Sequence, residues 1–497
     1  MSATDTAIHA AIPGQPQQII DRADLLTRVQ IDRSCRQTVV WYYASAVVWL
    51  LVGSAFALLA SIKMHNPGLL SNYEWLTFGR VRPVHLNVVS YGWASMAAVG
   101  TLLWLQARLC KVRLPFRRVL PVTCIVWNLT VLAGTIAILA GYSQGIEWLE
   151  FPPQALGSFA FIFVILLATS LKMFAGRKVR HTYVSQWYLF AAVIWFPILY
   201  SIAVIAMQLP FVTGAAKATI NWWFGHNTLG LWVTPVAIAT SYFMIPKVIG
   251  KPIHSYHISL LGFWSLALFY NWAGTHHLVG GPLPAWIITA GIVGSMMMLI
   301  PVMTVAINHH LTMIGSFHML KTSPTLRFVV FGSMSYTLVS AQGSFEALRS
   351  VSKVAHFTHY TIAHAHLGMY AFFSMIMFGA YYYILPRLTR NEWSSAPLIK
   401  IHFWTAAAGV LIYFAALSWG GWNQGGMMNN PNIPFLQTVA YTRPYLIARS
   451  LGGTLMTIAH ICFAVLVWRI LMTKPTTQFS VVPNVFGQAK SDADFMS

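Results

Sequence analysis

Apolar residues in this chain fall in long, nearly unbroken runs rather than in alternating or three-to-four-residue stripes. A membrane-spanning helix needs about 20 mostly apolar residues. Runs of that kind predict helices over 39–62, 84–109, 119–141, 155–175, 187–208 and 219–245, and again over 256–277, 284–308, 325–342, 357–385, 400–418 and 446–472. The fold class is therefore all-α and integral to a membrane, a bundle of about twelve transmembrane helices around one core. Residues 1–38 read as a polar N-terminal segment, 39–472 as the helical domain and 473–497 as a polar tail. Proline and glycine inside several runs are compatible with this, because neighbouring helices can satisfy the freed backbone groups.

Composition agrees. Only 8% of residues are charged and the mean hydropathy is +0.61, whereas a soluble domain carries about 25% charged residues. The net charge of +20 would suggest nucleic acid in a soluble protein, but no basic patch interleaved with aromatics occurs. It is better read as the excess of Lys and Arg on cytoplasmic loops. With a cytoplasmic N-terminus, 23 of the 31 basic residues fall on the inner side, in clusters such as Lys172/Arg177/Lys178/Arg180. Twelve crossings then return the C-terminus to the cytoplasm. No cleaved signal peptide is visible at the start of the sequence, so the first spanning helix is expected to do the targeting. Cys35, Cys110, Cys124 and Cys462 form no C-x-x-C pair, hence no C-x-x-C-H site for covalent haem.

The topology gives the histidines their meaning. His85 lies at the outer start of helix 2, His226 about seven residues into helix 6, and His276 and His277 at the outer end of helix 7. His364 and His366 lie near the outer start of helix 10. At 1.5 Å per residue, all six fall within roughly 15 Å of the outer face. Ionisable groups in spanning helices are expensive and usually functional, so six at one depth on four helices point to bound metal. His9, His65, His181, His254, His257, His309, His310 and His318 are expected in the tail, in loops or near helix ends, where water satisfies them; His402 and His460 fall outside the layer.

Spacing separates the roles. Residues two apart on a helix point to opposite sides, so His364 and His366 cannot share an ion; each can serve a different iron, with two haems flanking helix 10. His276 and His277, with His226 across from them, can converge on one ion as a three-imidazole site with an open position. Imidazole suits copper, iron and zinc, so the metal stays open on this ground. His85 is left as one axial ligand of a six-coordinate haem, with His364 or His366 opposite. Tyr270, six residues before His276, is either a packing tyrosine or a phenol that gives an electron and a proton near the metal.

The runs FGRVRPVH ending at His85, WWFGHN around His226, YNWAGTHH from Tyr270 to His277 and HFTHYTIAHAH from His356 to His366 resemble the catalytic subunit of haem-copper oxidases, of the cbb3-type cytochrome c oxidases in particular. YSQGIEWLEFP, IHSYHIS, GSFE and GGWNQGG support the likeness, which spans about Phe78 to Trp468. The resemblance implies a terminal respiratory oxidase of the bacterial inner membrane. It would reduce dioxygen to water with electrons from cytochrome c, coupled to proton uptake and translocation, within a complex whose membrane-anchored haem c subunits deliver the electrons. It implies that His85 and His366 are the axial ligands of a low-spin haem b, and His364 the ligand of a high-spin haem b. His226, His276 and His277 would hold copper, and Tyr270 resembles the tyrosine covalently linked to the copper ligand on helix 6, here His226. Glu150 resembles a carboxylate near the haem propionates and a calcium ion; Tyr256, Ser259 and Glu346 resemble a proton route. His359 where an Asp is usual, Thr275 in place of a proline and a shortened stretch before His356 depart from the pattern.

Nitric oxide reductases share the family, with non-haem iron and a glutamate one turn after the helix 6 histidine. That position here is Gly230, and helix 6 has no glutamate. Three neutral imidazoles and Tyr270 favour copper and oxygen. A proton-coupled secondary transporter using histidines as a relay is the alternative from another class.

Overall fold

The structure is a computed structural model that describes residues 7–10 and 18–474, with side chains from residue 26 on except that of Leu156. The polar tail expected over 473–497 lies outside the described residues from 475 onward, as does His9's side chain. A short antiparallel pair, Ala7–Ala10 with Gln18–Asp21, precedes the bundle.

Among the described residues, ten helices are long and apolar enough to cross a membrane. In chain order the bundle is α1 (Arg22–His65), α2 (Phe78–Cys110), α3 (Leu120–Leu139), α4 (Ala155–Ala175), α5 (Val184–Gln208) and α6 (Gly214–Ile249). It continues with α7 (Tyr256–Phe269), α8 (Ala285–Met313), α9 (Pro324–Glu346), α10 (His359–Thr389), α11 (Ala396–Met428) and α12 (Phe435–Met472). The two outside the set of ten are α7, which is short because its predicted span breaks into two 3₁₀ turns, and α9, whose serines, threonines and Arg327 lower its hydropathy. The first helix starts at Arg22, well inside the segment read as a polar extension, and part of the charge there is taken up by the bundle, Asp32 pairing with Arg108 at 2.9 Å and accepting from Trp104.

Helix starts follow from the local sequence. Ser255, Ser323, Thr358 and Ser395 each accept a hydrogen bond from a first-turn N–H of α7, α9, α10 and α11, satisfying donors that a helix leaves unpaired.

Three helices form the centre. Within their most apolar stretches 94% of α2, 94% of α6 and 89% of α10 is buried in protein, against 39–50% for the other seven. These three carry His85, His226, His364 and His366, and in each the α-helix gives way to a π-helical stretch just past the histidine: Val88–Ala94, Leu229–Val233 and Leu367–Ser374. Such insertions re-aim side chains and are frequent at functional sites. Four tryptophans are fully buried around this centre, and each indole N–H has an acceptor, as burial of a polar handle requires: Trp93 to Ser374 Oγ (2.8 Å), Trp104 to Asp32 Oδ1 (2.9 Å), Trp127 to the Tyr91 carbonyl (2.8 Å) and Trp232 to Ser95 Oγ (3.0 Å).

Candidate metal centres

Two cavities flank α10, and Ala365 and Met369 line both. His364 opens into one and His366 into the other, as residues two apart on a helix must.

The first cavity, about 930 Å³, lies between α1, α2, α10, α11 and α12. Across it the rings of His85 and His366 face each other, centroids 6.3 Å apart and 17° from parallel. Two metal–nitrogen bonds of about 2 Å each plus the half-widths of the rings fill that gap. Each Nδ1 is engaged elsewhere, His85 with the Gly53 carbonyl at 3.0 Å and His366 with the Ile362 carbonyl at 2.9 Å. This pattern fixes the ring and leaves Nε2 for a metal. Tyr413, whose hydroxyl is 3.2 Å from His366 Nε2, accepts from Arg449 Nε at 2.9 Å. His460 also lines this cavity, with Nδ1 on the Ser54 hydroxyl at 2.6 Å and Nε2 on the Tyr370 hydroxyl at 3.0 Å.

The second cavity, about 1050 Å³, holds His226, His276, His277, Tyr270 and His364 on its walls. The three imidazoles converge: one ligand atom from each lies within 4.8 Å of the others. His276 and His277 sit on a 3₁₀ turn, Thr275–Leu278, past the end of α7 rather than on the helix itself. Thr275 Oγ1 ties that turn to the Ile287 carbonyl of α8 at 2.9 Å. Ser295 Oγ meets His276 Nδ1 at 2.9 Å, orienting the ring, and Trp222 stacks on His277 at 4.3 Å. His226 Nδ1 is buried without a hydrogen-bond partner. Buried polar atoms are almost always paired, so an orphan nitrogen within a cluster of imidazoles fits a metal ligand. On the opposite wall, His364 Nδ1 approaches Gln342 Oε1 at 3.4 Å and Glu346 Oε2 at 3.7 Å, and α9 comes close enough there that only a glycine, Gly343, avoids the ring.

Tyr270 stands on the 3₁₀ turn Tyr270–Trp272 with its ring centroid 4.8 Å from that of His226. Its ring occupies the space over Gly230, where any Cβ would fall inside it. The phenol and a side chain at position 230 exclude each other.

The remaining expected residues separate. Glu150, 2% exposed, accepts from Asn87 Nδ2 at 2.7 Å and pairs with Arg82 Nη1 at 3.5 Å, while Glu147 also holds Arg82. Burial pushes the Glu150 carboxyl up to about 7, against Asn87 and Arg82, which lower it. Glu346 lies beside His364 with Oε2 unpartnered, at the site end of the bundle. Tyr256 and Ser259 are at the other end of α7, where Tyr256 donates to the Thr182 carbonyl at 2.6 Å and Ser259 to the Tyr256 carbonyl at 2.5 Å. The three are not brought together. Between the ends lie buried polar groups that the sequence reading passed over, among them Thr304 beside Gly262, Asn308 bonded to Tyr242 at 3.4 Å, and Tyr336 on the cavity wall. One placement is corrected: His309, expected near a helix end in water, is 5% exposed with both ring nitrogens unpartnered, because α8 continues to Met313.

The sequence profile of the family described as Cytochrome C and Quinol oxidase polypeptide I matches residues 37–455. The chain is 30% identical over 457 residues to the Cbb3-type cytochrome c oxidase subunit CcoN1 of Stutzerimonas stutzeri, covering 88% of this chain and 95% of that one. It is 29% identical over 449 residues to cytochrome c oxidase subunit 1 of Rhodobacter capsulatus, covering 86% and 84%. A solved heme-copper terminal oxidase dimer shares the fold, with a TM-score of 0.72 at 14% identity over 96% of this chain and 89% of that one.

Proposed function

This chain belongs to the cytochrome c and quinol oxidase polypeptide I family and is a haem-copper terminal oxidase subunit; from that premise we propose that it is the dioxygen-reducing subunit of a cbb3-type cytochrome c oxidase. In this reading His85 and His366 hold a low-spin haem b, His364 a high-spin haem b, and His226, His276 and His277 a copper ion. Bound there, these groups supply the electron transfer and the reduction of dioxygen to water.

The chain's own residues do the rest. The carbonyls of Gly53 and Ile362 and the Ser295 hydroxyl lock imidazole orientations, so little reorganisation is needed as charge moves. α10 keeps the two centres one helix apart, with Ala365 and Met369 as the partition. Tyr270 holds a proton at its phenol oxygen at the cavity wall, next to His226, and a covalent link between these rings belongs to the same reading. Tyr256 and Ser259 admit protons at the end rich in basic loops, and Tyr242, Thr304 and Tyr336 continue toward the cavity. Glu346, from its place beside His364, serves proton exchange at the site itself. Glu150, buried with Arg82 and Asn87, fits a cation or propionate anchor, calcium among the cations. Electrons come from cytochrome c through membrane-anchored haem c subunits, with both termini of this chain on the cytoplasmic side of a bacterial inner membrane.

The observation that carries oxygen over nitric oxide is the pairing of Gly230 with Tyr270. The phenol ring stands where a glutamate on α6 would have to reach the metal, leaving an all-imidazole set. A transporter reading does not survive the family match. Purified complex supplied with reduced cytochrome c should consume dioxygen steadily and show little nitric oxide consumption under the same conditions; the opposite preference would contradict the assignment.

A further inference from the structure

We propose that the groove between the ends of α4, α5 and α7 at the basic face of the bundle holds an anionic phospholipid. The groove, open on one side, offers about 790 Å³ of free space including its mouth and is lined by Phe174, Gln186, Trp187, Phe190, Trp195 and Trp264, among others. Its walls are aromatic: Phe174 stacks on Phe190 at 5.2 Å, Trp195 on Phe263 at 5.9 Å, and Trp187 meets Trp264 edge-on at 6.1 Å. Aromatic walls facing a bilayer suit any acyl chain, so they do not select an occupant. The floor and the rim do.

Gln186 is 2% exposed, and neither its amide nitrogen nor its carbonyl oxygen has a partner. A buried carboxamide left unpaired is costly, the more so where the surroundings are hydrocarbon. It lies in the first turn of α5, about 5 Å or less along the helix from its start, the depth of the ester and glycerol region of a leaflet. One donor and one acceptor at that depth match a glycerol oxygen and a headgroup hydroxyl.

At the rim, the Arg177 guanidinium lies 4.4 Å from the centroid of Phe174, which itself lines the groove. Lys178 and Arg180 follow it on the exposed loop, and the whole chain between Glu150 and Glu346 contains no acidic residue. Arg and Lys gathered at a helix-bounded pocket favour anionic headgroups. Charge at the mouth, a hydrogen-bonding pair one step deeper and aromatic walls below reproduce the order of parts in a phospholipid: phosphate, ester, chain.

The test uses the whole oxidase complex, washed with detergent and titrated with phosphatidylglycerol or phosphatidylcholine while native mass spectrometry counts retained lipid. Wild type should retain phosphatidylglycerol with about tenfold preference. Arg177→Gln with Arg180→Gln, both on the exposed loop, should erase the preference, and Gln186→Leu should weaken retention of either lipid several-fold, with haem absorbance unchanged in both as the check on folding. Equal retention of the two lipids by wild type would overturn the proposal, leaving an annular position of no selectivity. Unchanged preference in the double variant would overturn it as well.

Discussion

The two cavities beside α10 share a wall and differ in what faces it. On the His366 side a second imidazole stands opposite and nearly parallel, and both rings are held by backbone carbonyls. That arrangement sets two imidazoles 6.3 Å apart, which the proposed reading makes the two ligands of one iron with no space left for a substrate. On the His364 side the opposite wall carries a cluster of three imidazoles and a phenol, with space left between cluster and ring. One helix thus separates the two cavities, in the proposed reading a centre that relays electrons from one that binds a small molecule. The difference is made by sequence spacing on α10 and by what the neighbouring helices bring.

Ligand removal should break this division most sharply. His226→Ala is expected to abolish oxygen consumption and copper content while leaving the six-coordinate haem spectrum; His366→Ala is expected to erase that spectrum and keep the copper. If either variant lost both signals equally, the cavities would not be independent. Next in size is Gly230→Ala, whose added methyl would displace the Tyr270 ring. A misplacement of about 1 Å can cost about 100-fold in rate, so turnover should drop by roughly that factor with both haems intact. Tyr270→Phe keeps the packing and removes the proton; loss of a positioned proton donor costs about 100-fold or more, with metal content unchanged. The smallest effect is expected from Ser295→Ala, which removes the shorter of two contacts on His276 Nδ1 and leaves the Gly274 N–H at 3.3 Å. Loss of such an orienting contact lowers metal affinity about 10- to 100-fold, measurable as copper release to a chelator, while the His366 side stays unaffected.

Much of this was legible in the chain. Runs of apolar residues announce spanning helices because a membrane leaves the backbone no other partner, and histidines repeated at one depth are visible once the runs are numbered. The opposed directions of His364 and His366 follow from helix periodicity alone. What stayed hidden depends on departures from the regular helix. The turns at Tyr270–Trp272 and Thr275–Leu278 carry no distinct hydrophobic signature, so Tyr270 could be numbered but its packing on Gly230 could not be inferred. The π-helical stretches after His85, His226 and His366 read as ordinary apolar sequence. Ser295 bonds the Gly291 carbonyl of its own helix as any membrane serine can, and Gln342 sits among the serines of α9, so only tertiary packing shows that they also meet His276 and His364. His309 was misplaced because helix ends are the least certain feature of a hydropathy reading.

The central claim is that imidazoles from α2, α6, α7's terminal turns and α10 meet to hold two haems and one copper. Metal and non-covalent haem analysis of the purified complex tests it most directly. Two non-covalent haems and one copper per chain are expected; iron in place of the copper, or a single haem, would contradict it.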